Sequence, residues 1–253
     1  MLPSGTVRRT DKRMPDLPKI PMNWGWILAT VASTVIVVLT LLVVYYPDIP
    51  DPMPIHWNAA GEADGFREKT LGGFLFNILL GPVVLILSHL AAEAMISMQS
   101  GYITGPGGAK NPNEAHRTWH GYRATQRHLG WFMFTLNLLV LFMLARSYTA
   151  DHNRWGLPLS LAAIFALCGL LMWMLVKEQK AVERKYPKEP GEQGKAWGIF
   201  YNDPEDKRIL VDTGTGTNFT FNLGQPAGRA WAFLLLVLIP GALLVWVIIA
   251  AFR

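Results

Sequence analysis

The chain has 253 residues, 51% of them hydrophobic and 16% charged, with a mean hydropathy of +0.23 and a formal net charge of +5. A soluble domain carries about 25% charged residues, so a wholly solvated globule is excluded. The basic residues lie beside long apolar runs, which points to membrane topology and anionic lipid and away from nucleic acid.

The N-terminal stretch carries Arg8, Arg9, Lys12, Arg13 and Lys19, then an apolar run over 25–44. The run is of spanning length and no small-residue cleavage site follows it, so an uncleaved first helix is expected, with Trp24, Trp26, Tyr45 and Tyr46 as interfacial aromatics. Further apolar runs cover 71–96, 129–144, 157–176 and 230–251. Each is long enough, or nearly so, to cross roughly 30 Å of hydrocarbon at about 1.5 Å per residue. Pro82 and Pro240 fall inside runs and predict kinks. The single cysteine, Cys168, lies in the fourth run and makes an internal disulfide impossible.

Of the 23 lysines and arginines, all but Arg67, Lys69, Arg146, Arg154 and Arg253 fall on one side of a five-span arrangement. The positive-inside rule then places the N-terminus in the cytoplasm and the C-terminus outside. The expected fold is an all-α integral membrane protein of about five transmembrane helices, with a small cytoplasmic β-element before the last. Three parts follow: 1–96, an N-terminal transmembrane hairpin with an ordered extracytoplasmic loop over 47–70; 97–190, a cytoplasmic loop with the third and fourth helices; and 191–253, the β-element and the last helix. The stretch 177–186 prolongs the fourth helix until Pro187 and Pro190 stop it. Beyond it, 198–201, 208–211 and 218–222 read as strands, with turns at 202–204 and 213–216.

The first outer loop carries the most specific pattern. Pro47, Pro50, Pro52 and Pro54 impose a stiff, extended path with few backbone donors. His56-Trp57-Asn58 then precedes Gly61 and Asp64-Gly65, which favour tight turns. This stretch, with Tyr46, Ile49 and Lys69, resembles the signature of a family of bacterial membrane proteins related to the Sdp toxin-immunity protein. The segment 198–226, with Tyr201-Asn-Asp-Pro-Glu-Asp206 and Asn222-Leu-Gly-Gln-Pro226, looks like a small domain that often accompanies it. The resemblance implies a bacterial plasma-membrane location. It also implies, by analogy, a role in immunity or signalling.

Two constellations stand out as candidate sites. His56, Trp57, Asn58 and Asp64 are candidates for ligand binding on the outer face; the alternative is a loop held by its own side-chain hydrogen bonds. His89 and Glu93, four apart on the second helix, and His116 and His120, four apart on the approach to the third, would suit zinc if the helices met face to face. The alternative pairs Glu93 with Arg123 or Arg127. Asn77 and Asn137 are expected to bond between helices, and the basic run 177–188 to anchor on anionic lipid.

No nucleophile elbow, phosphate loop, dinucleotide fingerprint or HExxH pattern occurs. The preferred expectation is therefore a non-enzymatic protein that senses or blocks an external agent through the outer loop. A membrane-embedded enzyme using the His/Glu residues, and an accessory subunit with a membrane or cytoplasmic protein partner, remain as alternatives.

Overall fold

A computed structural model of the chain describes residues 13–106, 108–148, 155–189, 201–212 and 219–251. Five helical segments are long and apolar enough to cross a membrane: Trp24–Asp48, Leu71–Ser100, Pro112–Ser147, Gly156–Lys185 and Pro226–Ala251. The chain thus has the build of a multi-pass, mostly helical membrane protein.

The first segment is α1 (Trp24–Thr40), widened into a π turn at Leu41–Tyr45 and tightened to a 3-10 turn at Tyr46–Asp48. The last is α5 (Pro226–Phe233), a π turn at Leu234–Leu238, and α6 (Ile239–Ala251). Both π turns lie just before a proline. A proline ring collides with the carbonyl four residues back. For Pro47 and Pro240 that residue is Val43 and Leu236, each inside the widened turn, which moves the carbonyl away.

Between α1 and α2 (Leu71–Ser100) the structure forms a hairpin, β1 (Met53–Trp57) against β2 (Ala63–Arg67). The pairing is irregular on either side of His56. The sequence predicts an ordered loop here but not strands. Helix α2 is capped by Thr70, whose hydroxyl accepts the Gly73 amide at 3.1 Å.

Helix α3 (Pro112–Ser147) begins well before its apolar run, as its polar first turns predict. Asn111 accepts the Glu114 amide at 2.8 Å, and Glu114 returns the bond by accepting the Lys110 amide at 2.7 Å, so two orphan donors are satisfied reciprocally. At 36 residues α3 is about 54 Å long, so one end projects beyond the hydrocarbon. Helix α4 (Gly156–Lys185) includes the predicted prolongation. The small element before α5 pairs β3 (Leu210–Asp212) with β4 (Phe219–Phe221), and Tyr201 bridges to Asn222 beside them. The expected first strand therefore reduces to one bridge among the described residues; 198–200 and the turn at 213–216 lie outside them.

Helix α3 is the hub: α1, α2 and α4 pack on it, and α4 packs on α6. Close approach depends on small residues, as is usual between membrane helices. The Trp26 ring of α1 lies directly on Gly130 of α3, where a Cβ would run into the indole. A buried apolar cluster (Val38, Leu41, Ile49, Met53, Phe74 and Ile78) lies where α1, the hairpin and α2 meet.

Candidate functional site

The hairpin is lashed down rather than draped. Prolines leave the stretch after α1 short of donors, and Lys69 supplies them from the far end of the loop. Its Nζ donates to the carbonyls of Ile49 (2.6 Å) and Pro47 (3.0 Å) and lies 5.1 Å from the centre of the Tyr46 ring. Its backbone amide donates to Asp51 Oδ1 at 3.0 Å. Met53 is fully buried in the apolar cluster below. Phe74 stands between the rings of Tyr46 and Tyr148, at 4.9 and 5.3 Å. Trp57 meets Tyr148 edge-on at 5.5 Å, and Asn77 of α2 donates to the Tyr148 hydroxyl at 2.7 Å.

The four outer residues predicted from sequence come together on this hairpin in different roles. His56 Nδ1 lies 2.5 Å from Asp64 Oδ1 across the strands, and both side chains are exposed, at 71% and 46%. Asn58 closes the turn: its amide donates to the Glu62 carbonyl at 2.9 Å, and its side-chain oxygen accepts the Glu62 amide at 3.0 Å. Gly61 takes φ of 83°, which glycine adopts without strain. Gly65 faces His56, where a Cβ would stand 2.8 Å from the His56 Cβ. Trp57 turns inward to Tyr148. The exposed surface of the hairpin includes the His56–Asp64 pair, Glu62, Arg67 and Phe66, which is 55% exposed.

At the opposite end of α2, His89 and Glu93 are buried, at 1% and 0% exposure. Glu93 Oε2 accepts two N–H bonds at 2.8 Å, from the Asn23 backbone and from Gln126 Nε2. Gln126 also donates to the Pro21 carbonyl at 2.7 Å, and Ser100 accepts the Ile20 amide at 2.9 Å. The segment 20–23 is thus tied to α2 and α3. His89 Nε2 lies 3.8 Å from Glu93 Oε1. Neither ring nitrogen nor Oε1 has a hydrogen-bond partner among the described residues.

The partners expected for Glu93 are engaged elsewhere. Arg127 pairs with Glu178 of α4 at 3.3 Å, and Arg123 lies over the Trp119 ring at 5.7 Å. Sequence reasoning missed Gln126 and the Asn23 amide. The spacing signal for Gln126 is present on α3, but helix rotation decides which residue of a turn faces α2.

His116 and His120 do not join His89 and Glu93. Gln126, which touches Glu93, is six residues beyond His120, about 9 Å along the helix. Both imidazoles stack instead on Tyr186, at 4.6 and 5.4 Å between ring centres. Arg117 donates to the carbonyls of Tyr186 (2.8 Å) and Pro187 (2.9 Å), which fastens the end of α4 to α3. Among the described residues no group of three or more His, Cys, Asp or Glu side chains could hold a metal ion. Asn137 makes the expected interhelical bond, donating to Thr34 Oγ1 of α1 at 3.0 Å.

The element before α5 is a polar knot around Asn222, which is fully buried. Its Nδ2 donates to the carbonyls of Asp206 (2.7 Å) and Asp203 (2.8 Å), and its Oδ1 accepts the amides of Gly224 (2.9 Å) and Asp203 (3.0 Å). Tyr201 donates to Asp206 Oδ2 at 2.7 Å, and Arg208 clamps the same carboxylate. Burial, the bond to Asp206 and the nearby negative charge push the Tyr201 phenol up to about 12. Hydrogen bonds from Arg208, with that from Tyr201, hold the Asp206 carboxyl well below the usual range. Gly228 packs on the Asn222 backbone, which docks the knot directly on α5.

The profile of a domain of unknown function (DUF1648) matches residues 34–81. Those residues run from the middle of α1 through the hairpin into α2. No curated protein and no solved structure matches the chain.

Proposed function

We propose that this is a non-enzymatic protein of the bacterial plasma membrane, of immunity or signalling type, which senses or blocks an external agent through the hairpin. The carrying observation is the build of that hairpin. It is pinned by Lys69 and Met53, yet it presents His56, Asp64 and Phe66 to solvent. Preorganised, exposed side chains on a fixed support are what recognition needs, because little ordering entropy is then lost on binding. The line Trp57–Tyr148–Asn77 gives a bound agent mechanical access to both α2 and α3. The matched domain covers this region, and the resemblance to the relatives of the Sdp immunity protein favours the same reading.

The lysine and arginine distribution supports the orientation: hairpin and C-terminus outside, N-terminus and the Asn222 knot in the cytoplasm. The basic end of α4, with Lys177 over the Trp173 ring at 5.2 Å, would rest on anionic lipid, and the knot would meet a membrane or cytoplasmic protein partner. The test is genetic. A deletion strain is challenged with peptide toxins and envelope stress, then complemented with wild type and with His56→Ala/Asp64→Ala. Heightened sensitivity that only wild type corrects is expected; unchanged sensitivity in the deletion strain overturns the reading.

A further inference from the structure

We propose that His89 and Glu93 form a proton-binding site inside the bundle, and that its proton governs how firmly the segment 20–23 is held against α2 and α3. The site is independent of the hairpin and lies outside the matched domain.

The geometry is that of a pair built to share one proton. Both side chains are buried, four apart on α2, with Nε2 and Oε1 facing at 3.8 Å and unpartnered. That is about 0.9 Å beyond an N–H···O bond, a gap that a small rotation of either side chain closes once a proton lies between them. The proton belongs to the pair: on the imidazole it leaves a neutral ion pair, on the carboxyl two neutral groups. Without it, one negative charge stays in the bundle.

Beyond the N–H groups of Asn23 and Gln126, which both bind the other oxygen, little nearby offsets that charge. His89 and Glu93 are the titratable side chains of α2, and α1 has none before Tyr45. On α3, Gln126 is uncharged, Arg127 and His128 face Glu178, and Arg123 lies over Trp119. Tyr122, one turn before Gln126, is the remaining titratable group on that part of α3, and Lys19 runs beside Gly101 past the end of the segment.

The other carboxylate oxygen gives the site its consequence. Glu93 Oε2 is the common acceptor for the Asn23 amide and Gln126, and Gln126 reaches on to Pro21. A lone charge drives the carboxylate toward water, because an unpaired buried ion is disfavoured. Moving Glu93 releases both bonds at once. The segment is therefore held when the pair carries its proton and loosened when it does not.

The test uses the full chain in nanodiscs, with histidine ring nitrogens labelled and the His89 resonance identified by its loss in His89→Gln. A spin label is placed at Lys19→Cys after Cys168→Ser. Between about pH 5 and 9, label mobility is expected to rise with the same midpoint as the His89 titration. In Glu93→Gln, which keeps an acceptor for Asn23 and Gln126, the mobility step should vanish. The His89 midpoint should move there by about one pH unit or more. His89→Gln leaves the proton to Glu93 alone, so there the step should move off its wild-type midpoint, and the test survives if one variant fails to fold. A label that is unresponsive to pH in wild type overturns the proposal. So does a His89 titration unchanged by Glu93→Gln, a mobility step that persists in Glu93→Gln, or one that keeps its wild-type midpoint in His89→Gln.

Discussion

Lys69→Met isolates what holds the hairpin. Methionine keeps most of the aliphatic stem and removes the charge and three donors. The bond to the Ile49 carbonyl is 2.6 Å and partly shielded, and a hydrogen bond from a charged donor contributes about 1.5–3 kcal/mol. The bond to Pro47 is exposed, so water replaces it and its share is below about 1 kcal/mol. The Tyr46 contact adds about 0.5 kcal/mol. Together the hairpin should lose about 2–4.5 kcal/mol against local opening, a roughly 30- to 1,600-fold rise in the open population. The assay is hydrogen exchange on the full chain in nanodiscs. Peptides covering β1 and β2 should exchange faster by that factor, and those covering α3 should not change. Lys69→Arg should restore part of the protection. Hairpin exchange equal to wild type in Lys69→Met would refute the reasoning.

His56→Ala should leave hairpin protection within about 1 kcal/mol of wild type, because its hydrogen bond with Asp64 is exposed; a larger loss by hydrogen exchange would make that contact the clamp. Phe74→Ala, which removes a fully buried ring between Tyr46 and Tyr148, should cost about 3–5 kcal/mol, read from the denaturation midpoint in detergent. Gly130→Ala should push the Trp26 indole away and separate α1 from α3, lowering stability by about 1–3 kcal/mol and changing Trp26 fluorescence. In the knot, the Tyr201 phenol is raised relative to its ordinary value of about 10, so its contribution is complete below that pH and is lost as pH rises through about 12. Asp206 acts in the opposite direction: its contribution is complete above the ordinary carboxylate range and fades as pH falls toward its depressed folded value. Ultraviolet titration should show a tyrosine ionising at about pH 12 whose contribution is lost in Tyr201→Phe.

The helices were legible because apolar runs of spanning length leave few alternatives, and the polar extensions of α3 and α4 followed from Pro112 and from the Pro187 stop. The hairpin was not. Met-Pro-Ile-His-Trp and Ala-Asp-Gly-Phe-Arg contain residues that strands disfavour, and they pair because Lys69 and the Met53 pocket bring their ends together. The inward turn of Trp57 depends on Tyr148, which is distant in sequence and visible only once α3 is placed. The histidine pairs illustrate the same limit. Spacing of four puts His89 with Glu93 and His116 with His120, but rotation and offset between helices decide whether the pairs meet, and an offset of about 9 Å along α3 keeps them apart. In the knot, the strand signals around 210 and 220 were readable, while the central role of Asn222 emerges only from its four bonds.

The five-span arrangement puts three membrane crossings between the hairpin and the knot. Reporter fusions test this directly: alkaline phosphatase and a fluorescent protein joined in turn after Asp64 and after Asp206. The phosphatase should be active only after Asp64 and fluorescence present only after Asp206. Both positions reporting from the same compartment would contradict the five-span arrangement and the outward hairpin.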